Sequence, residues 1–134
     1  MAANPYNKYK QASVLSASRE QILLMLYEAA IRFTKLAIQA TEEKRIADKG
    51  HNIIRAFDII VELQATLDHK VGGELAVQLE QLYVYMQEQY TKANIKNDVE
   101  PLKSNLKVLE NLYEGWKGAV EKMKKENETK GGAA

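Results

Sequence analysis

The chain carries two prolines, Pro5 and Pro101, and the strongest break between them is the pair Gly72-Gly73. Spans of this length without a breaker favour helices over strands, because strands need frequent turns and turns need glycine or proline. At 134 residues the chain fits one domain, large enough for a core that needs no metal or disulfide support. There is no cysteine, which excludes disulfides, thiolate metal sites and a cysteine nucleophile.

Lysine plus arginine number 19 and aspartate plus glutamate 18. A balance this even gives no electrostatic reason to expect a nucleic-acid or anionic-lipid partner. The first residues, MAANPYNKYKQ, lack the apolar run of a secretory signal, and no apolar run approaches ~20 residues, so no membrane insertion is expected. The lysines of KMKKENETK are diluted by glutamates and have no interleaved aromatics, which is the pattern of a solvated tail.

Four helices follow from the pattern. Residues 1–17 are polar and irregular, an arm expected to be flexible, with room for a short extra helix. Ser18 followed by Gln21 is a capping box, in which each side chain satisfies a free N–H of the first turn. The first helix then runs to about Lys44, the second over about 46–69, and the third, after Gly72-Gly73, over about 74–94. Asp98 is the expected N-cap of the fourth, with Pro101 tolerated in its first turn, and this helix runs to about Lys125. The expected architecture is all-α: an antiparallel up-down four-helix bundle over 18–126, with an N-terminal arm and a disordered tail at 127–134.

Advancing 100° per residue sorts each helix into faces. The fourth is simple, with Leu102, Leu106, Leu109, Tyr113, Trp116, Val120 and Met123 on one stripe. The second has a core set of Ile53, Phe57, Ile60, Leu63 and Leu67, flanked by Ile54 and Val61 on one side and Ile59 on the other. The third has Leu75, Leu79, Leu82, Met86 and Tyr90, with Val77 and Val84 almost opposite. The first, opening SREQILLMLYEAAIRF, has two stripes. Ile22, Met25, Leu26, Ala29, Phe33, Leu36 and Ala40 form the expected core stripe, and Leu24, Tyr27, Ile31 and Ile38 lie more than a right angle away. A central helix meeting two neighbours is apolar over a wide arc, which explains much of this. The valines of the third helix are less easily covered, and the surplus points to a groove for a partner helix or for the chain's own arm.

Candidates for chemistry are poor. His51 and His69 are the only histidines, and they lie near helix ends. A di-metal bundle site needs carboxylates and two Glu-x-x-His pairs. Here Asp48-x-x-His51 is a loose approximation, and Thr66 stands three residues before His69. Asp58 and Glu62 are four apart on a polar face, where solvated carboxylates outnumber catalytic pairs. No catalytic, cofactor or metal site is expected, and the chain is read as a non-enzyme.

Several motifs resemble one family. LLMLYEAAIRF is similar to the first-helix signature of the flagellar secretion chaperone family FliS, leucines followed by M-L-[YF]-[DE]-G-A. Tyr9-Lys10-Gln11-Ala12-Ser13-Val14 resembles its N-terminal Y-x-Q-x-S/V element, and Ala56 to Leu63 its A-x-D-I-I-x-E-L. Gly72 to Met86 carries G-G-E-[IL]-A-x-x-L-x-x-L-Y-x-Y-M in full, Ala93-Asn94 with Asp98 fits A-N-x-x-x-D, and Trp116-Lys117 the closing W-K. The resemblance spans about residues 6 to 117. Departures are Ala29 for the usual glycine, Val84 for a common aspartate, Glu88-Gln89-Tyr90 for a usually basic stretch, and Arg45 where an acidic or small cap often starts the second helix.

The resemblance implies a bacterial cytosolic export chaperone that binds the disordered C-terminal segment of flagellin, prevents premature polymerisation, and delivers it to the flagellar export gate protein. It implies that the arm covers part of the binding surface, with Tyr6 and Tyr9 at the positions that also engage the gate, and that arm exchange between copies can give a homodimer. Combined with the surplus stripes, it marks Leu24, Tyr27, Ile31, Ile54, Val61, Val77 and Val84 as expected contacts for cargo or arm. A helical adaptor for a different peptide partner is the alternative.

Overall fold

A computed structural model describes residues 18–132, and the side chains of 18–129. The expected calls on Tyr6 and Tyr9 lie outside the described residues. Four helices make up the described chain: α1 (Arg19–Glu42), α2 (Ile46–Ala65), α3 (His69–Lys96) and α4 (Val99–Gly132). They form a ring in which α1 packs on α2 and α4, and α3 packs on the same two helices.

The ends follow from local chemistry. Ser18 Oγ accepts from the Gln21 N–H at 3.2 Å while Gln21 Oε1 accepts from the Ser18 N–H at 3.0 Å, the reciprocal cap read from the sequence. Asp98 Oδ1 accepts from the Glu100 N–H at 3.0 Å at the start of α4. Helix α3 begins five residues earlier than expected, because Asp68 accepts from the N–H groups of Lys70 and Val71 and nucleates a first turn. That turn is offset from the rest by Gly73, at φ 52° and ψ −126°, a conformation open to glycine and costly for side-chain-bearing residues. Helix α4 continues to Gly132, beyond the expected end near Lys125, since KMKKENETK contains no breaker and is rich in helix-favouring lysine and glutamate.

Up-down topology shows directly in the core. Tyr27 Oη hydrogen-bonds Tyr83 Oη at 2.5 Å, and Thr34 Oγ1 hydrogen-bonds Tyr90 Oη at 2.7 Å. Both pairs are separated by 56 residues, so α1 and α3 run parallel on opposite corners of the ring. Tyr83 and Tyr90 reach across the bundle axis because the facing positions of α1 are small: Ala30, Thr34 and Ala37, all fully buried. Thr34 also donates to the Ala30 carbonyl at 2.7 Å, so it accepts from Tyr90. Asn105 of α4 donates to the Met86 carbonyl at 2.9 Å. A second buried polar tie joins α2 to α3. Lys49, 3 % exposed, donates to the Asn94 carbonyl at 2.9 Å and to Asn97 Oδ1, placing its ammonium on the negative end of α3.

The faces of α2 and most of α4 follow the expected pattern: Ile53, Ile60, Leu63, Leu102 and Leu109 are buried, and Phe57, Leu67, Leu106, Tyr113 and Trp116 are partly so, whereas Met123, expected on the same stripe of α4, is 46 % exposed. Helix α1 is a correction. Its core lies between the two apolar stripes, on Ala30, Thr34 and Ala37, and takes one residue from the edge of each, Ala40 and Tyr27. The stripe expected to be core is turned toward the α1/α2 boundary and solvent, with Ile22, Met25, Ala29 and Phe33 half-buried and Leu36 40 % exposed. Leu75, expected in the core of α3, is 53 % exposed, and Tyr83 takes the role instead.

Candidate peptide-binding groove

Of the seven residues marked for partner contact in the bundle, four are exposed on α2 and α3, and one of them, Val84, lines the groove between these helices. Ile54 and Val61 are seven apart on α2, and Val77 and Val84 seven apart on α3, so each pair lines one side of its helix. The two helices run antiparallel, as the Gln64–Gln87 hydrogen bond of 2.7 Å and the Lys49 contacts to Asn94 and Asn97 require. Between them lies an open groove of about 520 Å³, bounded by Phe57 of α2 and by Val84, Gln87, Thr91 and Ile95 of α3. Ile95 was not among the expected contacts and is 75 % exposed. It could have been found, since it lies eleven residues after Val84 and so three turns along the same face.

The other three behave differently. Tyr27 is fully buried and hydrogen-bonded to Tyr83, so it is a core residue and not a contact for arm or cargo. Ile31 packs partly buried against the core, and Leu24 is half-buried on the same side of α1. Helical spacing places both toward α4, where Glu28 accepts from the Tyr113 hydroxyl at 2.5 Å. The Leu24 and Ile31 side of α1 is therefore separated from the α2/α3 groove by the width of the bundle.

The polar chemistry is structural. Burial pushes the Tyr90 hydroxyl up to about 12, against the lowering effect of its hydrogen bonds, and raises Tyr27 and Tyr83 as well. Tyr113 is pushed up to about 12 chiefly by its bond to the Glu28 carboxylate. These phenols stay protonated at neutral pH and serve as donors. Among the described residues no group of three or more His, Asp or Glu side chains is placed to hold a metal ion. Among the described residues no helix is long and apolar enough to cross a membrane.

The family model described as flagellar protein FliS matches residues 2–123, nearly the whole chain. The chain belongs to the FliS family. Among its FliS relatives, the flagellar secretion chaperone of Bacillus subtilis (strain 168) is 36% identical over 131 residues, covering 98% of this chain and 97% of the relative. That of Salmonella typhimurium (strain LT2) is 34% identical over 108 residues, 80% of each. A crystal structure of a bacterial flagellar chaperone superposes with a TM-score of 0.73 at 20% identity, over 87% of this chain and 95% of the other, and supports the same bundle fold for this FliS chain.

Proposed function

We propose that this FliS chain is an export chaperone of the bacterial cytosol that holds the disordered C-terminal segment of flagellin, keeps it from polymerising, and presents it to the flagellar export gate. The observation that carries this reading is the α2/α3 groove, an exposed apolar channel on a member of a family whose relatives are named secretion chaperones. It fits a helix laid in a groove, read by residues three, four and seven apart. The role is one of binding, and no step of it needs a cofactor.

Magnitudes indicate how much surface such a client needs. Ile54, Val61, Val77, Val84 and Ile95 are 56, 43, 46, 40 and 75 % exposed. At ~2 kcal/mol for a fully covered aliphatic side chain, covering what remains open contributes roughly 5 kcal/mol. Ordering a disordered segment costs ~2–5 kcal/mol or more, so this groove alone leaves little net affinity. The client must therefore extend onto further apolar surface, and Val71 and Leu75 at the start of α3 and Leu36 on α1 are exposed and open to it.

The test is titration of the full chain with a flagellin C-terminal segment, followed by calorimetry. Saturable binding at micromolar concentrations is expected. Val77→Asp and Val84→Asp should each weaken it at least ~tenfold, because a carboxylate would be desolvated without a partner, with helical content unchanged. Absence of saturable binding would refute the reading; loss of helical content would show the valines to be core.

A further inference from the structure

Helix α2 ends early for its sequence. Its last residue is Ala65, yet one more helical turn, residues 69–72, stands between it and the reversal at Gly73. The interruption is narrow: Thr66 keeps a right-handed helical backbone at φ −81° and ψ −9°, and Asp68 is extended at φ −107° and ψ 102°. Asp68 Oδ1 accepts from the N–H groups of Lys70 and Val71 at 3.0 and 3.1 Å, and the Gly72 N–H donates to the Asp68 carbonyl at 2.8 Å, so the short turn is a unit. It still travels in the sense of α2. Gln64 pairs with Gln87 at 2.7 Å; five residues on from Gln64 and seven back from Gln87, His69 Nε2 lies 2.9 Å from Glu80 Oε2. That is the ladder of an antiparallel helix pair, continued past the break. The chain then folds back tightly. A Cβ added at Gly72 would come within 2.9 Å of the Ala76 Cβ, where a regular helix keeps such positions ~5–6 Å apart.

The break leaves apolar side chains open. Val71 is 86 % exposed and Leu75 53 % exposed, although Leu75 stands one turn before the buried Leu79 on α3. In an unbroken α2, Val71 falls one turn beyond Leu67 and two beyond Leu63, on the face that packs on the core, and across the reversal from Leu75. We infer that this connection is a two-state element, in which residues 66–72 alternate between the broken form seen here and a continuation of α2 that withdraws Val71 and Leu75 from solvent. The two forms are set by opposed terms of similar size. The broken form keeps the Asp68 cap and the His69–Glu80 pair, and it spares the weak helix formers Thr66, Asp68 and His69 an interior helical position. The unbroken form covers a valine and part of a leucine. Thr66, at the break, also lines a largely apolar cavity of about 350 Å³ with Ile22, Leu23 and Leu26 of α1. The same movement therefore reshapes the apolar surface at this end of the bundle. The switch belongs to the free chain and stands whether or not flagellin is the client.

Backbone NMR of the full chain tests this. Relaxation dispersion should show exchange at residues 66–73 on the μs–ms timescale, the range of helix rearrangements. Asp68→Ala removes the cap and supplies a better helix former. The ratio of unbroken to broken form should then rise at least ~fivefold, read as movement of the Thr66 and Leu67 Cα shifts toward helical values. Val71→Asp is the opposing variant. Its side chain is open to water in the broken form and would be buried in the other, so the exchange should vanish while helical content elsewhere stays unchanged. A chain held in one form predicts none of this, because an exposed Val71 has nothing to lose there. Absence of dispersion at 66–73, unmoved shifts in Asp68→Ala, or exchange that survives Val71→Asp would each overturn the inference.

Discussion

The hydroxyl pair of Tyr27 and Tyr83 gives a quantitative test of how the bundle is held. Both side chains are buried and their oxygens lie 2.5 Å apart, linking diagonal helices. Replacing Tyr83 by Phe keeps the ring and strands the Tyr27 hydroxyl, apart from the Trp116 indole, whose N–H lacks a hydrogen-bond acceptor of good geometry. A stranded buried hydroxyl costs ~1–3 kcal/mol. For a domain of this size 1 kcal/mol corresponds to about 4 °C in Tm, so Tyr83→Phe should lower Tm by ~4–12 °C. Tyr27→Phe should behave alike. The double variant removes donor and acceptor together and should cost less than the sum, and by the same argument little more than either single change. Urea and thermal unfolding followed by circular dichroism measure all four corners of the cycle. Neutral single variants, or losses that simply add, would refute the claim that this bond ties α1 to α3.

Two further outcomes follow from the same structure. Because folding raises the tyrosine pKa values above their ordinary value near 10, the neutral phenols stabilise the fold fully below pH 10 and the contribution is lost as pH rises toward 12. Each such tyrosine should steepen the loss by about 1.4 kcal/mol per pH unit, measured as urea midpoints at pH 9, 10 and 11, and Tyr90→Phe should flatten the slope; a pH-independent midpoint would contradict it. Gly73→Ala should destabilise by ~1–3 kcal/mol in urea unfolding through backbone strain alone, since an added Cβ there meets nothing within 4 Å.

Much of the fold was legible because local rules act on neighbours in sequence. The Ser18–Gln21 cap, the Asp98 start of α4 and the glycine break near the start of α3 each depend on a few consecutive residues. The exposure of Ile54, Val61, Val77 and Val84 was legible for a related reason: each helix already had a better apolar face to bury. What misled was the first helix. Hydropathy ranks leucine and isoleucine above tyrosine, threonine and alanine, so the two aliphatic stripes stood out and the true core face between them did not.

That face belongs to the assembled bundle. Sequence by itself determined four helices, their order, the caps at Ser18 and Asp98 and the family, since these are set by propensity, periodicity and motif. Tertiary structure decided which arc of α1 points inward. Two tyrosines projecting from α3 need small residues opposite them and hydroxyl partners for their oxygens, and Ala30, Thr34, Ala37 and Tyr27 supply both. The choice is made by the volume and hydrogen bonds of a helix 56 residues away, information that no window along α1 contains. With Tyr27 committed to the core, the apolar surface left open includes the α2/α3 groove, Leu36 of α1 and the start of α3 at Val71 and Leu75.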